Sequence, residues 1–82
     1  MQTGTDFLKV ELQTGLAMAD LASLEQPGSE QRARTQRNAR KAYDTVIRLL
    51  PRFEIEEKPE RLIQEGLSRL RSALQELGEK FA

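Results

Sequence analysis

Apolar residues recur along the chain with the spacing of packed helices. Two sets repeat with steps of four, three, four, three and four residues. The first set is Ile63, Leu67, Leu70, Leu74, Leu77 and Phe81. The second set is Thr35, Ala39, Ala42, Val46, Leu49 and Phe53. A repeat that averages 3.5 residues keeps one stripe of a helix against its neighbour, as in bundles and coiled coils.

Turn signals divide this pattern into three helices. Pro27 and Gly28 end the first helix, and Ser29 can accept hydrogen bonds from the free amides of the second. Pro51 ends the second helix, and Pro59 suits the first position of the third. We therefore predict helices at about residues 5–25, 29–50 and 59–80 within one domain spanning residues 1–82. The fold expected is an all-α antiparallel (up-down-up) three-helix bundle with coiled-coil-like heptad seams.

Individual residues give three smaller expectations. Phe53 and Ile55 are expected to fold over one end of the bundle, and Gly78 predicts fraying from about Leu77. Tyr43 is expected to place its ring in the core and its hydroxyl at the edge.

The first helix carries apolar residues on two sides. One side holds Leu8, Leu12, Leu16, Ala19 and Ala22. The other side, about 160° away at 100° per residue, holds Phe7, Val10, Ala17, Met18, Leu21 and Leu24. A helix that touches two neighbours explains a broad apolar arc. The alternative is that part of the second side remains uncovered as a surface for self-association or for a partner helix, through Phe7, Val10, Met18, Leu21 and Leu24.

Charge is balanced overall but unevenly distributed. The 82 residues include 13 basic and 13 acidic side chains. Residues 1–28 carry a net −3, residues 29–53 a net +5 and residues 54–82 a net −2. A basic middle segment therefore lies between two acidic flanks.

Five basic residues of the middle segment share one arc of about 60° on a helix. They are Arg34, Arg37, Lys41, Arg48 and Arg52. Such a stripe could bind phosphates, although the zero net charge and the lack of interleaved aromatic residues weigh against nucleic acid. The alternatives are an acidic protein partner, or a solvated face partly neutralised by nearby acids. The candidate acids are Asp20, Glu25, Glu76 and Glu79.

Reaction chemistry is hard to place on this sequence. The chain has no His and no Cys, so the usual proton shuttle and the strongest nucleophile are missing. Its five glycines form no phosphate-cradling loop. The acidic residues 54–60 lack the Asp, Asn and Gly spacing of a calcium loop. We expect no enzymatic activity, no catalytic residues, no cofactor and no metal site.

The expected location is the cytoplasm. Residues 1–6 lack the basic and apolar regions of a signal peptide, and the longest uninterrupted apolar run is residues 16–19. The absence of Cys fits a reducing compartment. A soluble protein with no membrane contact is therefore predicted.

Part of the second helix resembles the second helix of a tetratricopeptide repeat. Ala39, Tyr43, Val46 and Pro51 stand at that repeat's small, aromatic, small and proline positions. The likeness covers about thirteen residues and does not extend to the preceding helix, where Pro27 interrupts. Microtubule-interacting and trafficking domains are similar in size and layout only, so neither likeness implies membership of the family.

These patterns predict a non-enzymatic helical module for protein–protein interaction or self-association, which docks through apolar helix faces. The partner expected is a second copy or a partner protein helix, with no small-molecule substrate. The alternative is binding of nucleic acid or another polyanion through the Arg-rich face of the second helix.

Overall fold

Three helices account for most of the chain in the computed structural model, which describes residues 4–81. They are α1 (Gly4–Leu24), α2 (Glu30–Leu49) and α3 (Glu57–Glu76), and a short 3₁₀ turn (Leu50–Arg52) follows α2. No strand occurs between residues 4 and 81. The helices pack on one another in all three pairs, which confirms the predicted all-α three-helix bundle.

Contacts between the helices establish their directions. Leu12 of α1 lies against Gly66 of α3, and Gly15, one turn later, lies against Leu70 and Ala42. Because these contacts advance together along α1 and α3, those two helices run parallel. Glu79, just beyond α3, bonds Gln36 near the start of α2, so α2 runs opposite to α3. The topology is therefore up-down-up.

The α1–α2 connection is a tight turn with the predicted chemistry. The amide of Ser29 donates to the carbonyl of Gln26 at 3.1 Å, and Gly28 has a φ of 82°. Pro27 followed by a positive φ is the pattern of a type II turn. The Ser29 side chain then accepts a hydrogen bond from the amide of Arg32, which confirms Ser29 as the N-cap of α2.

The α2–α3 connection is longer. Helix α2 stops before Pro51, as predicted, because a ring at that position cannot donate to the helical ladder. Ile55 packs against the core, whereas Phe53 remains 37% exposed with its ring against Gly4. Helix α3 starts at Glu57, so Pro59 is its third residue rather than its first. That position still needs no intrahelical amide donor.

The core lies where the three apolar stripes meet. Its largest fully buried side chains are Leu8, Val46, Ile63, Leu70 and Leu74. Tyr43 is also buried, as predicted. From the stripes named above, Leu49 and Leu77 are only partly buried and pack against the core from its edges.

The C-terminal end of α3 differs from the prediction. The helix ends at Glu76 rather than near residue 80, and the following residues fold back instead of fraying. The amide of Gly78 donates to the carbonyl of Gln75, and the amide of Glu79 donates to that of Leu74. This pair of bonds, with a φ of 102° at Gly78, forms a Schellman motif. Phe81 consequently packs against the core, partly buried, through a turn and not through continuation of the helix.

Candidate interaction surfaces

The outer face of α1 carries exposed apolar side chains. Phe7 is 41% exposed, Val10 54%, Leu21 47% and Leu24 84%. With Thr14 and Ala17, which are also exposed, these residues follow one another in steps of three, four, three, four and three. We call these six residues the α1 outer stripe. Its spacing is that of a helix face that packs against another helix.

Met18 does not belong to this surface. It is partly buried and packs against the core cluster, because its position on the helix lies between the outer stripe and α2. Four of the five predicted interaction residues are therefore exposed together, and Met18 supports the bundle instead.

Acidic residues border the α1 outer stripe on both edges. In heptad terms one edge holds Glu11 and Met18, with Glu25 just beyond the end of α1, and the other holds Asp6, Gln13 and Asp20. Neither edge carries a basic residue, and one carboxylate oxygen of Glu25 is buried. Lys9, the one basic residue of α1, lies outside both edges.

The outer face of α2 carries the predicted basic residues. Arg34, Arg37, Lys41 and Arg48 are exposed on the helix, and Arg52 is exposed in the 3₁₀ turn that follows. We call these five the α2 basic face. Within residues 4–81, none of the five takes part in a salt bridge. Of the four acids named as candidates to neutralise this face, Glu79 bonds Gln36 and Arg40 instead.

Arg40 is the basic residue of α2 that is paired. Its Nε lies 3.1 Å from Oδ1 of Asp44, and its Nη1 lies 2.9 Å from Oε1 of Glu79. Nη1 also donates to the carbonyl of Lys80 at 3.1 Å. Burial, the largest single influence, lowers the pKa of Arg40. The hydrogen bonds and charges of Asp44 and Glu79 together outweigh it, so the pKa lies above its ordinary value.

Phe81 lies beside this ion pair, between α2 and α3. Its ring meets that of Tyr43 edge-on, with the centroids 5.0 Å apart and the planes at 71°. The guanidinium carbons of Arg40 and Arg71 lie 4.1 and 5.0 Å from the Phe81 ring centroid. The apolar spacing of α3 includes Phe81 but does not predict this cluster, because the contacts of the cluster join residues about forty positions apart. The one local signal is Gly78, which turns the chain back.

Other chemistry finds little support on these surfaces. No three His, Cys, Asp or Glu side chains in the described part of the chain come together to hold a metal ion. Nor does any helix within residues 4–81 have the length and apolar character needed to cross a bilayer. The depressions between the helices are open surface grooves, such as the one lined by Leu12, Leu16 and Leu62.

We compared the chain with protein-family models, with curated proteins and with solved structures, and none of the three comparisons gave a match.

Proposed function

We propose that this chain is a non-enzymatic helical interaction module that docks a partner helix on the α1 outer stripe. The observation that supports this most directly is the row of exposed apolar side chains from Phe7 to Leu24, on the side of α1 away from the core. Leaving such side chains in water costs about 25 cal/mol per Å² of apolar area, which a docked helix would recover.

The charges beside the stripe favour a partner with basic edges. Two α1 helices in parallel would bring Asp6 near Glu11 of the other copy, and an antiparallel pair would also join acidic edges. Like charges at these positions oppose pairing. A helix with Leu on its apolar face and Lys or Arg on both edges is complementary to the stripe in shape and charge.

The first test uses a defined probe peptide. It is an 18-residue helix with Leu at positions a and d of its heptads and Lys at positions e and g, which keep it monomeric by repulsion. We expect fluorescence anisotropy to show binding at least about tenfold tighter than that of the same peptide with Glu at e and g, because only the Lys edges meet carboxylates of opposite sign.

Leu21→Glu should abolish this binding, because it places a charge within the apolar row, between Ala17 and Leu24. Leu62→Glu is the matched control, since Leu62 is 57% exposed on α3, away from the stripe. Equal loss in both variants would contradict docking on α1. A dimer mass in light scattering that Leu21→Glu reduces to a monomer mass would show that the occupant is a second copy of the chain.

A second candidate function is the binding of a polyanion to the α2 basic face. It is supported by five exposed cations that the rest of the described chain leaves without a salt-bridge partner. Because the net charge of the chain is zero, the attraction for a polyanion would come from this one surface. The affinity would therefore fall steeply as the salt concentration rises.

The test of this candidate is retention on a heparin column at about 50 mM salt. We expect Arg34→Gln, Lys41→Gln and Arg48→Gln together to remove retention. The control combines Lys58→Gln, Arg61→Gln and Arg69→Gln on α3, which changes the net charge by the same amount. Failure of the unaltered protein to bind the column, or equal loss in the two triple variants, would exclude this function.

A further inference from the structure

The groove between α2 and α3 already holds a short segment of the chain. Glu79, Lys80 and Phe81 follow the turn at Gly78 and lie back along α2. This helix pair makes the least extensive contact of the three, so the space beside Tyr43 is filled by the Phe81 ring rather than by α3 itself. We call residues 79–81 the tail.

Each tail residue is recognised in a different way. The Glu79 carboxylate accepts hydrogen bonds from Gln36 Nε2 at 2.6 Å and from Arg40 Nη1 at 2.9 Å. Lys80 contributes only its backbone carbonyl, which accepts from Arg40 at 3.1 Å, and its side chain is exposed. The third residue, Phe81, inserts its ring between two guanidinium groups and the edge of Tyr43.

From this geometry we infer that the α2–α3 groove is a binding site for peptide segments with a carboxylate two residues before an aromatic ring, and that the tail occupies it as a ligand in cis. The middle residue is free to vary because only its carbonyl is bound. Arg40 selects the carboxylate by charge and the ring by stacking, since a guanidinium can donate in its plane and pack on its face.

Occupation by the tail also explains how such a site would be controlled. A tethered segment acts at a high effective concentration, so an incoming peptide must displace it. A variant that weakens the tail should therefore bind an added peptide more tightly than the unaltered chain.

The experiment uses full-length chains and the peptide Gly-Glu-Lys-Phe-Ala, acetylated and amidated. We expect it to shift the NMR signals of Tyr43, Arg40 and Arg71 in Phe81→Ala, and to bind this variant at least about tenfold more tightly than the unaltered protein. Peptides with Glu→Gln or Phe→Ala should bind several-fold more weakly. Changing the Lys of the peptide to Ala should leave its affinity unchanged.

Equal affinity for the variant and the unaltered chain would overturn the inference, as would the absence of saturable shifts. So would a loss on Lys→Ala as large as that on Phe→Ala. If circular dichroism shows that Phe81→Ala loses helix, Phe81→Leu retains an apolar side chain at this end of the bundle while removing the ring. None of these residues belongs to the α1 outer stripe, so the result is independent of the docking test above.

Discussion

Gly15 shows how a single residue sets the distance between helices. A Cβ atom at this position would lie 2.7 Å from Leu70 Cδ2 and 3.0 Å from Ala42 Cβ, closer than ordinary van der Waals contact. Leu70 is fully buried, and Ala42 Cβ is fixed to the α2 backbone, so neither can yield easily. The missing side chain therefore allows α1 to approach both of its neighbours.

Gly15→Ala should lower the free energy of unfolding by about 1 kcal/mol. Overpacking typically costs about 1–3 kcal/mol, and the better helix propensity of Ala returns about 1 kcal/mol. Thr14→Ala, one residue earlier and exposed, is the control and should be neutral or slightly stabilising. Urea denaturation measures both variants. A gain in stability for Gly15→Ala would mean that the helices can separate without cost.

Among the elements, the ends of the helices decide which surfaces form. Gly28 and Gly78 both adopt a positive φ, where an L side chain is strained by about 1–2 kcal/mol. The turn at Gly28 joins α1 to α2, whereas the turn at Gly78 directs the tail into the α2–α3 groove.

Gly28→Ala and Gly78→Ala should therefore cost similar free energies of unfolding, about 1–2 kcal/mol, but differ in what they release. Only Gly78→Ala should weaken the nuclear Overhauser contacts between the Tyr43 and Phe81 rings, because only the turn at Gly78 directs the tail into the α2–α3 groove. Loss of these contacts in both variants would show that the tail follows global stability rather than its own turn.

The same helix ends show what the sequence can and cannot predict. The 26–29 turn and the break before Pro51 depend on local chemistry, so they could be read directly from the residues. At the end of α3, Gly78 indicated loss of helix from about Leu77 but not the turn back, because apolar spacing continues through Leu77 to Phe81 whether the chain turns or remains helical. Likewise, periodicity alone did not separate Met18, which packs on the core, from exposed Leu21.

On the scale of the whole molecule, the bundle separates its charges by helix. Acidic side chains border the outer stripe of α1, and basic side chains cover the outer face of α2. The net charge of zero conceals this arrangement. The net charges of −3 for residues 1–28 and +5 for residues 29–53 already indicated it. The sequence placed Glu79 among the acids near α2 but did not predict its pairing with Arg40, because that link depends on how α3 ends.

The α1 outer stripe has a further geometric consequence. It spans the residues from Phe7 to Leu24, a length of roughly 26 Å along the helix axis. Because steps of three and four average less than the 3.6 residues of a helical turn, the row drifts around α1 by about 20° per heptad. A straight rod laid parallel to α1 would lose contact at one end. A helix that touches both Phe7 and Leu24 must cross α1 at an angle near 20° and coil around it with a left-handed sense.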